Sequence, residues 1–148
     1  MIVDEIAKSI VGLGASRIER VVYDFHGSLD ECADVQWWFG EDLVRLYVGI
    51  DVSSISMSAM PWEDAFKGRE SENAEYLDSH GRFRLVDVSA RANYRDMIGN
   101  PIRYVWPLSD KYGHYIGVRL ECIDVAANVY LVEDELKITW GDDVPLWK

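Results

Sequence analysis

A chain of 148 residues that is 49% apolar and 12% aromatic is long enough for one domain with a substantial core and too apolar for a disordered one. Its net charge of -11 opposes nonspecific attachment to nucleic acid or to an anionic membrane surface, and favours a cationic protein partner instead. No apolar run approaches the roughly 20 residues of a membrane span. The opening MIVDEIAKSI carries acids where a secretory signal would be basic, so a cytoplasmic protein is expected.

Val3, Ile6, Ala7, Ile10 and Val11 recur at helical spacing, and Gly12 and Gly14 follow where a helix would stop. Ile18 to Phe25 is rich in β-branched and aromatic residues and reads as the first strand, ending at His26-Gly27 before a polar loop, Ser28 to Ala33. Val35, Trp37 and Phe39 alternate with Gln36 and Trp38. After a turn at Gly40-Glu41-Asp42, the apolar face resumes at Val44, Leu46, Val48 and Ile50. Asp51 and Val52 turn the chain into a fourth strand around Ile55 and Met57.

From Ala59 to Gly81, acids, Pro61 and weak periodicity predict an exposed connection, with a helical turn at Asp64 to Phe66 or at Ser71 to Leu77. Arg82 to Val88 alternates imperfectly and is read as a linking strand. Tyr94, Met97 and Ile98 form a short helical segment. Four strands follow between Gly99 and Trp140. Ile102, Tyr104 and Trp106 are expected on one apolar face, then Ile116, Val118, Leu120 and Cys122, then Val129 and Leu131, then Leu136, Ile138 and Trp140. The C-terminal Gly141 to Lys148 is read as an irregular segment that docks on the surface.

An offset of 83 residues lays Val35, Trp37, Leu46, Tyr47, Val48, Ile55 and Met57 on Val118, Leu120, Val129, Tyr130, Leu131, Ile138 and Trp140. The match fits an internal duplication, and it also fits any two amphipathic meanders. Either way the expected fold is α+β. It is a single domain over residues 1–148 with two antiparallel β-meander half-sheets of about 1–58 and 90–141, each preceded by a short helix and joined by the acidic connection 59–81.

No catalytic signature stands out. Asp24, His26, Asp30, Glu31 and Cys32 offer ligand types that zinc accepts, yet their spacing matches no standard site, and no metal or other cofactor is expected. His80 and His114 sit in turn-like sequence with no identifiable nucleophile beside them. No glycine-rich phosphate loop is present. Two cysteines, Cys32 and Cys122, are too few for a disulfide framework and are read as free thiols, with a single bridge left open.

Two features point to binding. Trp38, Tyr47 and Tyr130 lie opposite the apolar faces of their strands, where tryptophan and tyrosine are favoured interface anchors, although the same face is read equally well as one covered by the helices or by the other half. Acids cluster at strand ends, above all Glu41-Asp42 and Glu133 to Glu135, where they would attract a basic protein. The expected partner-contact residues are therefore Trp38, Tyr47, Glu41, Asp42, Tyr130, Glu133 and Asp134.

The segment Met97 to Glu121, with Ile98-Gly99, Ile102, Trp106, Gly113 and Gly117 at its key positions, resembles a pattern in small uncharacterised bacterial proteins. In size, acidity and plainness the chain also resembles the immunity proteins that neutralise bacterial toxins. That resemblance implies a non-enzymatic inhibitor that occludes a toxin domain, and it brings no catalytic residues. Two other readings remain open at this point. One is a small-ligand-binding domain or hydrolase with a pocket between the half-sheets lined by Trp37, Trp106 and Trp140. The other is a homodimer formed by pairing edge strands.

Overall fold

The computed structural model describes residues 2–50 and 54–143. The expected turn at Asp51-Val52 and the docking of Val144 to Lys148 lie outside the described residues. Helix α1 (Ile2–Ile10) buries Val3, Ile6 and Ile10, and its ends suit the helix dipole, with Asp4 and Glu5 in the first turn and Lys8 in the last. Then come β1 (Arg17–Phe25), β2 (Ser28–Asp30), β3 (Val35–Phe39), β4 (Asp42–Val48) and β5 (Ile55–Ser58). After α2 (Ala74–His80) and β6 (Arg82–Asp87), the single turn α3 (Tyr94–Met97) leads into β7 (Tyr104–Ser109), β8 (Tyr115–Glu121), β9 (Ala126–Val132) and β10 (Glu135–Trp140).

The strands form two antiparallel sheets. One runs β2-β1-β3-β4-β5, with β6 paired to the opposite edge of β1, and the other runs β10-β9-β8-β7. The architecture is α+β with two meanders, and the elements β1, β3, β4 and β5 correspond in order to β7, β8, β9 and β10. Residues equivalent under the 83-residue offset are buried in both halves, as with Val35 and Val118, Trp37 and Leu120, and Leu46 and Val129. The halves also meet at an isolated parallel bridge between the equivalent residues Ala15 and Ile98. Both sheets, α1 and α3 contribute to one core.

Four local expectations need correction. Ser28–Asp30 is not loop but strand β2, because His26 and Gly27 both take positive φ and close a two-residue hairpin. All three β2 residues are exposed, so no apolar alternation announced the strand. Ile50 lies beyond the end of β4 and is fully exposed rather than part of its apolar face. In β7 the inward residue is Val105, while Trp106 is 48% exposed and stacks on Tyr104. Ile102 is buried separately, before the strand begins, where its N–H donates to Leu13 O and its C=O accepts from Gly12.

The fourth correction is Tyr130, which is only 3% exposed although it faces away from the core. Its cross-strand neighbour is Gly117, where an added Cβ would fall 2.7 Å from Tyr130 Cα and 2.2 Å from Val129 O. The missing side chain leaves a trough in the outer face of the second sheet, and Tyr130 lies in it.

Burial sets the alkaline limit of stability. It pushes the Cys122 thiol from 9.0 up to about 11, and desolvation followed by the Asp4 charge pushes the Tyr115 phenol from 10.0 up to about 12. Both groups hold their protons more tightly when folded, so their contribution is fully present below pH 9 and is lost as pH rises toward 12. Urea midpoints should fall steadily over that range. The fall should be shallower in Tyr115→Phe and Cys122→Ala.

Candidate functional site

The β3–β4 hairpin closes with Gly40 at φ +69 followed by Glu41, a two-residue turn that holds Glu41 and Asp42 at one end of the first sheet. Both acids are exposed, and among the described residues neither is ion-paired. Several other acids are compensated internally: Asp34 by Arg45, Asp64 by Arg82, Asp24 by Arg84, Glu31 by Arg91 and Glu135 by Lys137.

Two clefts flank this turn. On one side a groove of about 360 Å³ runs between the end of α1, the turn and β5. Its lining mixes apolar Leu13, Phe39, Leu43, Val44 and Met57 with polar Ser9, Glu41, Asp42 and Ser58. Leu13 is 42% exposed there. On the other side a polar cleft of about 510 Å³ is lined by Arg17, Trp38, Glu41, Asp87 and Ser89. Hydrogen bonds from the Ser89 hydroxyl and amide hold the Asp87 carboxyl below its usual range.

The structure brings together three of the seven expected contact residues, Trp38, Glu41 and Asp42. Trp38 is half-buried, its indole N–H donates to Glu19 Oε1, and the Arg17 guanidinium lies 4.8 Å from its ring centroid. Tyr47, further along β4, carries the Arg45 guanidinium 4.6 Å from its ring centroid. Both aromatic faces are thus already covered by the chain's own cations. Glu133 and Asp134 form the exposed β9–β10 turn, close to Val48 at the far end of β4. That end is six strand residues, roughly 20 Å, from Asp42. Tyr130 is buried and is not a contact surface.

The expected exposed connection is partly a cover. Residues 60–62 cross the outer face of the first sheet, where Arg45 Nε donates to Met60 O at 2.9 Å and Trp62 N–H donates to Gln36 Oε1 at 3.0 Å. Gln36 in turn donates to Glu19 Oε1, which ties the connection to Trp38. The polar outward residues Gln36 and Arg45 were the available signal. Nothing local showed which segment would satisfy them.

A pocket shared by Trp37, Trp106 and Trp140 does not form. Trp37 is sealed in the core, Trp106 faces outward, and Trp140 packs edge-on against Tyr94 at 4.8 Å. The histidines are dispersed over exposed positions, His26 in the β1–β2 turn, His80 at the end of α2 and His114 in the β7–β8 loop. His80 Nδ1 meets Tyr76 O, and His114 Nδ1 lies 3.3 Å from Asp110.

Metal-ligand types gather at one place among the described residues, where ligand atoms of Asp30, Cys32 and Glu135 lie within 4.8 Å of one another. Asp24 and His26 are not part of it, since Asp24 pairs with Arg84 and caps the Gly27 N–H. Lys137 Nζ already supplies a cation, 2.8 Å from Glu135 and 4.0 Å from Asp30. Burial first, and then the Asp30 and Glu135 charges, push the Cys32 thiol up and disfavour the thiolate a metal would need. This cluster is read as an ionic link between β2 and β10. Both cysteines are free.

No protein-family model matches the chain, and searches of curated proteins and of solved structures return no match. Among the described residues, no helix is long and apolar enough to cross a membrane.

Proposed function

We propose that the protein is a non-enzymatic binding protein that occludes a cationic surface of a protein partner, in the manner of a toxin-immunity protein, through the β3–β4 end. The observation that carries this reading is the pair Glu41 and Asp42, exposed and without a cation partner among the described residues, on a two-residue turn between two clefts, in a chain of net charge -11. Carboxylates held in place lose little freedom on binding, and a field of this sign speeds the approach of a basic partner while repelling acidic ones.

The protein used as bait in host lysate at low salt, followed by a salt gradient, is expected to retain a basic protein. Glu41→Lys/Asp42→Lys should then weaken that complex at least about tenfold at low salt, and flatten the dependence of affinity on ionic strength. The melting temperature should stay unchanged, since both side chains are exposed and unpaired among the described residues. Retention of the partner with unaltered affinity and salt dependence would move the interface away from this end.

A further inference from the structure

We infer that the groove between α1, the β3–β4 turn and β5 is a receptor for a lysine side chain presented by the protein partner, with the aliphatic stem on its apolar lining and the ammonium at Glu41 and Asp42. This deepens the binding reading above and rests on it for the source of the lysine.

Three features of the groove converge on that occupant. About half of its lining is apolar, from Leu13, Phe39, Val44 and Met57 beside the polar Ser9 and Ser58, so it offers a hydrocarbon chain a surface to pack on. Its lining carries two carboxylates with no cation of their own among the described residues, so the charge it lacks is positive. Its volume, about 360 Å³, has room for a lysine side chain. Lysine matches all three, because its stem packs on apolar surface while the ammonium remains at the solvent edge. A compact metal ion would leave the apolar surface unused, and an apolar residue would leave the carboxylates unpaired.

The groove is also preformed. Val44 is anchored in the core as part of β4, and the backbone near Leu13 is tied to Ile102, whose N–H donates to Leu13 O at 3.0 Å. An incoming side chain therefore orders little of the protein on binding.

The test is a titration of isotopically labelled protein with Nα-acetyl-lysine methylamide, followed by backbone amide shifts, with Nα-acetyl-norleucine methylamide as the uncharged counterpart. Saturable shifts confined to Leu13, Phe39 to Leu43 and Met57 are expected with the lysine probe, at least tenfold weaker with norleucine. Glu41→Gln/Asp42→Asn should weaken lysine binding at least tenfold. Ser9→Phe, which fills the groove and leaves both acids in place, should abolish it. Equal binding of norleucine would overturn the proposal in favour of a purely apolar groove. Shifts spread over all exposed acids and insensitive to Ser9→Phe would reduce it to counter-ion attraction. If the amide titration succeeds while the lysate yields no protein partner, the groove stands and the protein-binding reading fails. If a partner binds through Glu41 and Asp42 but Ser9→Phe leaves its affinity unchanged, the groove proposal fails alone.

Discussion

Trp37→Ala is expected to destabilise the protein by about 3–5 kcal/mol, the range for deleting a large buried aromatic. Trp37 is 1% exposed in the middle strand of its meander, opposite Ile18 on β1 and Val44 on β4, and it belongs to the core shared by both sheets. Alanine would leave a void in contact with both layers, and backbones held by ladders on either side of β3 cannot collapse to fill it. The indole Nε1 is buried without a hydrogen-bond partner among the described residues, which sharpens the expectation. Trp37→Phe discards that stranded donor while keeping most of the ring, so it should cost much less than alanine. A loss similar to alanine's would mean that the N–H is satisfied after all, by water. Urea unfolding with a common m-value for the three proteins measures both differences. A chain with a total stability of about 5–15 kcal/mol will leave the alanine variant marginal, and the phenylalanine variant keeps the comparison readable.

Arg20→Ala should be nearly as damaging, for a different reason. Arg20 is 1% exposed on β1, and its Nη2 donates at 2.9 Å to Leu136 O on β10 and at 3.1 Å to Ala33 O. One guanidinium thus ties the first sheet to the second, with no carboxylate paired to it among the described residues. Alanine would strand two carbonyls, at about 1–3 kcal/mol each where they are fully buried, and would also leave a void. The arginine itself carries a desolvation cost, and its Nε lacks a partner among the described residues. Arg20→Met keeps the stem volume, removes the charge and recovers that cost. Its stability is expected between wild type and alanine. A methionine variant as unstable as alanine would show that the two carbonyl contacts dominate.

These two residues also show where local reading stops. Trp37 was placed in the core by alternation alone, because a strand with one buried face repeats its apolar residues every second position. The same rule located β3, β4, β5, β8, β9 and β10 close to their observed bounds. It did not mark Arg20 as buried, since no local signal distinguishes an arginine whose carbonyl acceptors lie on residues 33 and 136. Of the candidate site, the acidic turn at Glu41-Asp42 was legible as a turn between alternating strands. The groove beside it was not, because Leu13, Phe39 and Met57 come from three separate segments.

The sequence by itself determined the fold class, the acid surplus and the positions of most strands, all of which follow from side-chain period and turn residues within a few positions. Only the tertiary structure decided which outward faces are covered. Tyr130 is buried because Gly117 on the neighbouring strand leaves room beneath it, and Trp38 and Tyr47 are capped by Arg17 and Arg45. The connection at 60–62 became a cover because Gln36 and Arg45 reach it across the sheet. Period two tells which side of a strand a residue occupies. Whether that side meets water or protein depends on contacts between residues far apart in the chain.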